Sequence, residues 1–244
     1  MKLFWKHSKI INPQKPKVLG LIPARGGSKR LPQKNILEIA GKSLIQWTIN
    51  AAINSKVITK VVVSTDDLAI KKLALQGGAE VPFLRPIELS SDIAHRNDVV
   101  AHALNEIPGF DYVILLQPTS PLRTSRHIDE AFEYFLDSGS ESCASVTQSH
   151  SPPEWMYYKN SDNRLDPILQ SAKPEIRQKV RPTYTLNGAI YISKVESFLQ
   201  SKFEDSFVNE STVAYMMDQE CSFDIDSPLD FQICDFLINQ GAND

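Results

Sequence analysis

The stretch KVLGLIPARGGSKRLPQKN, residues 17–35, decides the fold. Residues 17–22 have the length and the apolar character of a buried β-strand. A loop follows directly, with two adjacent glycines, four basic side chains and no carboxylate up to residue 35. A strand that ends in such a loop is typical of open α/β sheets, which bind ligands at the carboxyl ends of their strands.

Apolar strands and amphipathic helices alternate through the rest of the first half. Further strands are predicted over residues 59–64, 81–84 and 112–116. Helices are predicted over residues 43–54, from the N-cap Asp66 to Leu75, over residues 98–107, and around the apolar stripe Ile128, Ala131, Phe132, Phe135 and Leu136. The buried face of the first helix is predicted to consist of Leu44, Trp47, Thr48 and Ala51. Because apolar strands separated by helices form parallel sheets covered on both faces, we expect a doubly wound α/β fold.

The pattern changes after about residue 146. Residues 147–186 are rich in proline, aromatic and charged residues and have no long helical period, which predicts an inserted subdomain or arm. Regular structure resumes at residues 187–193, and Ser227 is the predicted N-cap of a last helix over residues 228–239. The predicted division is a tail, a domain and an insertion: residues 1–16, residues 17–146 with 187–244, and residues 147–186.

Length and composition disfavour several classes of protein. A chain of 244 residues fits one large domain with an insertion. A net charge of −3 disfavours a nucleic-acid binder, so the basic loop points instead to a small anionic ligand. The three cysteines form no CxxC pair, which argues against a zinc site or a disulfide framework and fits a reducing cytoplasm. No run approaches the ~20 apolar residues of a membrane span, and the N-terminus lacks the apolar core of a signal peptide.

The loop after the first strand combines backbone freedom with positive charge. Gly26 and Gly27 permit a positive φ and allow backbone N–H groups to face a ligand. Arg25 offers a planar fork to phosphate oxygens, and Lys29 and Lys34 offer point charges. Together they predict a triphosphate site, with a solvated basic loop as the alternative.

This loop matches neither of two familiar phosphate-binding motifs. The dinucleotide pattern GxGxxG is absent from the sequence. Gly41-Lys42-Ser43 looks like the end of a P-loop, but the earlier glycine of GxxxxGKS would fall at Ile36. The sequence therefore predicts a third kind of phosphate loop.

Six blocks of the sequence resemble the acylneuraminate cytidylyltransferases, the CMP-sialic acid synthetases. They follow the family's order and approximate spacing over about residues 17–238: LIPARGGSKRLPQKN (21–35), STDD (64–67), FLRP (83–86), LLQPTSPLRT (115–124), NGAIYI (187–192) and FDIDSPLDF (223–231). The family makes a CMP-activated nonulosonic acid from CTP and the free sugar, releases pyrophosphate and uses a divalent metal, Mg²⁺ or Mn²⁺. The resemblance therefore implies a Rossmann-like nucleotidyltransferase domain with a mainly parallel sheet and a small inserted dimerisation subdomain. It also implies a cytoplasmic homodimer that binds neither nucleic acid nor membrane.

The resemblance implies a nucleotide site built on the loop and on one distant arginine. Arg85 matches the family arginine that reads cytosine, with a surface ion pair to Glu88 as the alternative. Asn35 is implied to help hold the cytosine or its ribose. The implied nucleotide-binding set is Arg25, Gly26, Gly27, Ser28, Lys29, Lys34, Asn35 and Arg85.

Four further matches imply the sugar site. Gln117 follows the most apolar strand and matches the family's sugar-contacting glutamine, with a hydrogen bond to the following turn as the alternative. Arg177 matches the arginine that binds the sugar carboxylate, and Arg181 is its nearby competitor. Tyr191 matches a tyrosine of the sugar pocket, with core packing as the alternative. On a strand, Asn187 and Tyr191 share one face, so both side chains are predicted to face the ligand.

Asp224 and Asp226 are the implied metal ligands. In an extended segment their carboxylates lie on one face, and Ile225 between them faces the other way. Two carboxylates suit Mg²⁺ that retains water and phosphate ligands, with an acidic surface turn as the alternative. Asp230 is predicted to cap the last helix. The implied catalytic set is Arg25, Lys34, Asp224 and Asp226.

The sequence departs from the family pattern at two places. His95 and Arg96 stand where small hydroxyl residues are common, so the nucleotide contacts of that turn are not implied. No lysine lies at Glu154-Trp155, where the family often carries one near the sugar. The sugar stays open between N-acylneuraminic, legionaminic, pseudaminic and 3-deoxy-manno-octulosonic acids, the last disfavoured by the pairing of NGAIYI with FDIDSPLDF. A non-catalytic nucleotide-binding regulator is the alternative from another class.

Overall fold

The computed structural model describes residues 15–169, 176, 180–201 and 207–241. Its strands, in chain order, are β1 (Val18–Pro23), β2 (Glu38–Ile39), β3 (Lys42–Ser43), β4 (Lys60–Ser64), β5 (Tyr112–Leu115), β6 (Ser142–Gln148), β7 (Tyr157–Lys159), β8 (Leu165–Pro167), β9 (Tyr184–Lys194) and β10 (Val213–Met216). Its α-helices are α1 (Leu44–Ile53), α2 (Leu68–Gln76), α3 (Arg96–Glu106), α4 (Ser125–Ser138), α5 (Val195–Gln200) and α6 (Pro228–Asn239).

A six-stranded sheet in the order β10-β6-β9-β5-β1-β4 forms the centre of the described structure. β1 pairs in parallel with β4 and with β5, and β10 pairs in parallel with β6. β9 runs antiparallel between β5 and β6. The predicted, mainly parallel α/β sheet is confirmed. The carboxyl ends of β4, β1 and β5 therefore lie side by side at one edge, where such sheets bind ligands.

Helices cover both faces of the sheet, because alternate residues of each strand point to opposite sides. Val18 and Ile22 of β1 belong to one buried cluster, together with residues of α1, α2 and α4. Leu19 and Leu21 of the same strand belong to a second cluster, with residues of α3 and α5. This is the doubly wound arrangement that the alternation of strands and helices predicts.

A third buried cluster joins the C-terminal helix to the start of the chain. Ile238 of α6 packs with Ile39 of the β2–β3 hairpin and with Leu44 of α1. Ile225, just before α6, belongs to the same cluster and is fully buried. This packing places the segment before α6 beside the loop that follows β1.

Two local predictions of the sequence are wrong. Asp67, not Asp66, caps α2, because its Oδ1 accepts hydrogen bonds from two backbone N–H groups of the first turn, at 2.7 and 3.0 Å. Over residues 81–84 the described chain forms no strand, and the nearest pairing is a single bridge between Val62 and Glu80.

The buried face of α1 is broader than predicted and is rotated. Leu44 and Thr48 are buried as expected, but Trp47 and Ala51 are only half-buried. The remaining buried residues are Ile45, Ile49 and Ala52. The reason is tertiary, since α1 packs against α2, α4 and the sheet together.

The insertion continues two strands of the central sheet. β6 runs to Gln148 and β9 begins at Tyr184, and these two residues pair with each other. The predicted boundaries at residues 146 and 187 therefore fall inside strands. Beyond them, β7 and β8 form an antiparallel hairpin whose residues are all exposed. The division into a domain and an inserted subdomain stays a prediction, and residues 1–14 of the predicted tail lie outside the described ranges.

The three cysteines, Cys143, Cys221 and Cys234, are free thiols. Across the ranges given above, no helix combines the length and the apolar character that crossing a membrane requires.

Candidate active site

A cleft opens at the carboxyl ends of β1, β4 and β5. The first of its two cavities has a volume of about 270 Å³ and is walled by the loop after β1, the start of α3 and the turn after β5. The predicted binding side chains that line it are Arg25, Ser28, Lys34, Asn35, Arg85 and Gln117. An adjoining cavity of about 430 Å³ shares Arg25, Ser28, Lys34 and Asp92 with the first and adds Lys29, Arg30 and Asp226.

The glycine loop is shaped by close approach and not by positive φ. In the described chain neither Gly26 nor Gly27 has a positive φ, so the freedom that these glycines permit is not used here. A Cβ atom on Gly26 would lie 2.6 Å from Asp67 Oδ2, so a larger residue would displace the loop or the cap of α2. The N–H of Gly26 donates to Asp66 Oδ1 at 3.1 Å. The two aspartates after β4 thus fix the loop after β1.

Asp92 bridges two cations of the loop. Arg25 Nη2 lies 2.7 Å from Asp92 Oδ1, and Lys29 Nζ contacts Asp92 Oδ2. The hydrogen bond from Lys29, assisted by Arg25, lowers the pKa of the Asp92 carboxyl. Asn35 Nδ2 donates to the carbonyl of Arg25 at 3.0 Å and ties the two ends of the loop together. The Arg25 side chain is 33% exposed and that of Lys29 is 84% exposed, so Arg25 is the better fixed of the two cations.

Lys34 connects the loop to the acidic segment before α6. Its Nζ donates to the carbonyl of Ile225 at 2.6 Å and lies 3.3 Å from Asp226 Oδ1. Arg30 Nη1 lies 3.0 Å from the other carboxylate oxygen of Asp226. The structure therefore brings the basic loop and one of the two predicted metal ligands to the same place.

The acidic segment is fixed by backbone hydrogen bonds. The N–H of Ile225 donates to Thr119 O at 2.8 Å. The N–H groups of Asp226 and Ser227 donate to Asp230 Oδ2 at 3.1 and 2.7 Å. Asp230 also completes the capping box of α6, which confirms its prediction as a helix cap.

Asp224 adds a second carboxylate on the exposed side of this segment. Ile225 is buried whereas Asp224 and Asp226 are exposed, which matches the predicted shared face. The pKa of the Asp224 carboxyl is raised, chiefly because neighbouring protein atoms reduce its hydration. A hydrogen bond from Thr119 acts in the opposite direction, and the nearby charge of Asp226 raises the pKa further. The segment therefore carries negative charge that the protein only partly compensates.

This charge fits a hard divalent cation. Two neighbouring carboxylates, one of them with a raised pKa, favour Mg²⁺ or Mn²⁺ that completes its shell with water and phosphate oxygens. In the part of the chain that the structure describes, no group of three or more His, Cys, Asp or Glu side chains could hold a metal. Asp224 and Asp226 fit a site of this kind, in which most ligands would come from outside the protein.

Arg85 is buried and is held by oxygen atoms of the protein. Its Nε donates to Ser64 Oγ at 3.1 Å, and its Nη2 donates to Ser64 O. Its Nη1 donates to Leu89 O at 3.4 Å, and burial lowers the pKa of Arg85 to about 10. Arg85 is 6% exposed and, among the described residues, forms no ion pair with Glu88, so the alternative of a surface ion pair is wrong. Arg85 also lines the cleft, where its remaining N–H groups can face a ligand.

Comparison with known proteins decides the family. A family model described as cytidylyltransferase matches residues 19–220. The chain belongs to this cytidylyltransferase family.

The curated relatives differ in how much of their own length this chain spans. The CMP-N,N′-diacetyllegionaminic acid synthase of Legionella pneumophila is 38% identical over 239 residues, covering 93% of this chain and 99% of the relative. The pseudaminic acid cytidylyltransferase of Campylobacter jejuni is 32% identical, covering 91% and 96%. The N-acylneuraminate cytidylyltransferase of Streptococcus agalactiae serotype V is 37% identical, covering 88% and 52%. The chain thus spans about half the length of the N-acylneuraminate cytidylyltransferases that it matches.

Solved structures share the fold of this chain at low identity. The CMP:2-keto-3-deoxy-manno-octonic acid synthetase complexed with CTP gives a TM-score of 0.70 at 20% identity, covering 92% of this chain and 99% of its own. The 4-diphosphocytidyl-2C-methyl-D-erythritol synthase from Anaerococcus prevotii gives 0.65 at 13% identity, with the same coverage. At these identities the likeness concerns the fold alone.

Gln117 reaches the cleft beside a glycine of β9. Gly188 has a φ of +76°, and a Cβ atom there would lie 3.1 Å from Gln117 Oε1. The backbone carbonyl of Gln117 accepts hydrogen bonds from Thr48 Oγ1 and from Arg123 Nη2, both at 3.4 Å. The backbone of the turn is therefore fixed, while the side-chain amide lies next to Gly188.

Asn187 and Tyr191 do not share a face, so that prediction is wrong. A register shift between β6 and β9 and the positive φ of Gly188 interrupt the two-residue alternation. Asn187 Nδ2 donates to Ser222 Oγ at 2.9 Å and contacts Met217 Sδ, on the face of α1 and α4. Tyr191 belongs to the cluster on the face of α3. Neither residue is among those lining the described cleft, and a direct sugar contact stays a prediction for both.

Two further arginines were indicated by the sequence, and a third, Arg123, was missed and lines neither cavity of the cleft. Arg177, the predicted carboxylate-binding residue, lies outside the described residues, and its competitor Arg181 is exposed. Arg123 was not indicated, yet it is 2% exposed and donates to Thr48 Oγ1 at 2.8 Å and to Ser120 O at 3.4 Å. Burial lowers the pKa of Arg123 to about 9. The available signal was a single charged residue in an otherwise uncharged turn between strand and helix.

Proposed function

We propose that this chain transfers the cytidylyl group of CTP to the anomeric hydroxyl of an acidic nonulosonic sugar. The hydroxyl oxygen attacks the α-phosphorus in line with the leaving pyrophosphate. One P–O bond forms, the P–O bond to pyrophosphate breaks, and the hydroxyl proton passes to solvent. The observation that carries the proposal is the convergence of Arg25, Lys34 and Asp226 on one cleft at the carboxyl edge of the sheet.

The basic loop would bind the triphosphate. Arg25 and Lys34 already hold oxygen anions, the carboxylates of Asp92 and Asp226, at 2.7 and 3.3 Å. Phosphate oxygens present the same charge and similar acceptor geometry. Charge that develops on the leaving pyrophosphate would be neutralised by these cations and by N–H groups of the loop.

Asp224 and Asp226 are the residues that would hold a divalent metal. A bound Mg²⁺ or Mn²⁺ would supply neutralisation of the phosphate oxygens and would acidify the attacking hydroxyl. Asp226 has both carboxylate oxygens in contact with Lys34 and Arg30, so these cations would exchange Asp226 for phosphate as the nucleotide enters. This exchange keeps the local charge balanced without moving the backbone.

The nucleoside and the sugar would occupy different parts of the cleft. Arg85 would donate to the cytosine carbonyl, while backbone groups distinguish cytosine from uracil, because uracil has the same carbonyl. Asn35 would support the ribose side. Gln117, Arg177 and Tyr191 are the proposed sugar contacts, and Asn187 supports β9, the strand of Tyr191, through its buried hydrogen bonds.

We also place this activity in a cytoplasmic homodimer. The hairpin of β7 and β8 carries exposed apolar residues, including Tyr158 and Leu165, each 65% exposed. Exposed apolar side chains on a projecting hairpin favour association with a second copy of the chain.

The direct test is pyrophosphate release by the purified chain with CTP, Mg²⁺ and a panel of free sugars. The panel contains N-acetylneuraminic, N,N′-diacetyllegionaminic, pseudaminic and 3-deoxy-manno-octulosonic acids, because relatives named for the first three are 31–38% identical. Release that depends on a nonulosonic acid, with a CMP-sugar identified by mass spectrometry, is expected. If the chain binds CTP but releases pyrophosphate with none of the sugars, the non-catalytic regulator is favoured. If only 3-deoxy-manno-octulosonic acid supports release, that sugar replaces the nonulosonic acid as the proposed substrate.

A further inference from the structure

Arg96 places a positive charge in the cleft at a position where the related motif has a small hydroxyl residue. It is the first residue of α3, is half-buried and lines the cavity of about 270 Å³. Its guanidinium carbon lies 4.3 Å from the centre of the Tyr191 ring. A cation–π contact of this kind holds a guanidinium plane against the ring and leaves its N–H edge available.

Unlike Arg25 and Lys34, Arg96 has no anionic partner among the described residues. Arg25 is paired with Asp92, and Lys34 is paired with Asp226. Within the residues that the structure describes, none of the ion pairs involves Arg96. The aromatic ring orients the guanidinium without neutralising it, so its charge is available for a ligand.

The strand order places Arg96 on the side of the cleft opposite Arg85. Arg85 is bonded to Ser64 at the end of β4, whereas Tyr191 lies on β9 and pairs with Leu115 of β5. In the order β9-β5-β1-β4, strands β9 and β4 are three inter-strand spacings apart, about 14 Å. The phosphate loop follows β1 between them. A nucleotide whose base lies at Arg85 and whose phosphates lie at the loop therefore leaves the β5–β9 side to the second substrate.

We propose that Arg96 binds the carboxylate of the acidic sugar and selects for it. Gln117, at the end of β5, lines the same cavity and would contact the neutral part of the sugar. A guanidinium fork and a carboxylate form two parallel charge-assisted hydrogen bonds. This inference rests on the proposed function and gives the described part of the cleft a specificity-determining arginine, in addition to the one predicted at position 177.

The test compares wild type with Arg96→Gln and Arg96→Lys, using the sugar that gives pyrophosphate release and its uncharged carboxamide analogue. Steady-state KM for each substrate and inhibition by the carboxamide are measured. Arg96→Gln is expected to raise KM for the acid roughly 10- to 100-fold, the scale of one charged hydrogen-bonding group. KM for CTP and binding of the carboxamide are expected to stay within about twofold. Arg96→Lys keeps the charge without the fork and is expected to recover part of the loss.

Arg126→Gln is the matched control, since Arg126 is also in the first turn of a helix but is 73% exposed and pairs with Glu130. The melting temperature of each variant checks folding. An unchanged KM for the acid in Arg96→Gln overturns the inference, and so does an equal loss for acid and carboxamide. A change confined to KM for CTP would assign Arg96 to the nucleotide instead. In all three of these cases the wild type still releases pyrophosphate. Failure of the proposed function is different, because the wild type then releases no pyrophosphate with any sugar. That result would overturn the proposed function and the inference about Arg96 together.

Discussion

Lys34 Nζ lies 3.3 Å from Asp226 Oδ1, although 192 positions separate the two residues in the sequence. Lys34 follows the first strand, and Asp226 precedes the last helix. They meet because α6 packs on the β2–β3 hairpin and on α1, which closes the acidic segment over the loop. The candidate site is therefore completed by the docking of the last helix.

Replacing Asp226 by Asn is expected to lower kcat roughly 10²-fold or more, the scale of losing one principal electrostatic group. The carboxylate both partners Lys34 and is a proposed metal ligand. Asp137→Asn, on the exposed side of α4, is the control and should match wild type. A near-normal kcat for Asp226→Asn in Mg²⁺ would show that the metal and charge assignment is wrong.

The two cations bridged by Asp92 are expected to differ in importance. Arg25 is fixed in the cleft wall, and its replacement by Ala should lower kcat/KM for CTP by about 10- to 100-fold. Lys29 is 84% exposed, so Lys29→Ala should cost only about 2- to 5-fold. Both values come from CTP titrations at fixed sugar concentration and constant ionic strength. Equal losses for the two variants would contradict the difference in their packing.

The raised pKa of Asp224 predicts a pH-dependent gain in stability on removing its charge. Because the pKa is higher in the folded protein, ionisation of Asp224 lowers the free energy of unfolding as pH rises from the ordinary value of 3.8 through the folded-state pKa. Asp224→Asn should therefore melt at a higher temperature than wild type at pH 7.5. Below pH 3.8 the gain should vanish, because the carboxyl is neutral in both states.

Thermal unfolding followed by circular dichroism at several pH values measures this difference. Saturating Mg²⁺ should reduce the gain at pH 7.5, because a bound cation offsets the charge that the mutation removes. A melting temperature equal to or below that of wild type at pH 7.5 without metal would refute the expected destabilisation by Asp224.

Gly188→Ala is expected to change the sugar side of the cleft selectively. An alanine there would have a strained φ near +76° and a Cβ atom 3.1 Å from Gln117 Oε1, so Gln117 would have to move. We expect a loss of about 1–2 kcal/mol in stability and a several-fold rise in KM for the sugar. Gly139→Ala has a similar φ of +68° with no neighbour within 4 Å, and it should show the stability loss alone. If both variants raise KM for the sugar, the effect is general strain and not the contact with Gln117.

Leu165→Asp is expected to shift the proposed dimer towards monomer. Leu165 is 65% exposed on the β7–β8 hairpin, and a charge there would oppose burial against a second copy. Light scattering coupled to size exclusion should give about twice the chain mass of 27.4 kDa for wild type and a lower value for the variant. Leu68→Asp, at an equally exposed site on α2, is the control. A monomeric wild type would rule the dimer out directly.

The sequence by itself determined the α/β sheet and the composition of the basic loop after β1. Residues 17–22 and 112–116 form the expected strands because a strand buried on both faces needs an unbroken apolar run, and such a run is local. The capping box of Ser227 and Asp230 is also local, since its bonds join residues three positions apart. Patterns of this kind are complete within a few residues, so they can be recognised without knowing the rest of the fold.

Only the tertiary structure decided which side chains meet in the cleft. The partnership of Arg25 with Asp92 depends on how the chain returns after β4, and the position of Arg96 over Tyr191 depends on a strand contributed much later. Asn187 and Tyr191 face opposite sides of the sheet because the register of β9 shifts against β6. The alternation of residues along β9 alone could not predict this shift. Contacts between distant segments are set by strand pairing and helix docking, and the physical information for them is distributed over the whole fold.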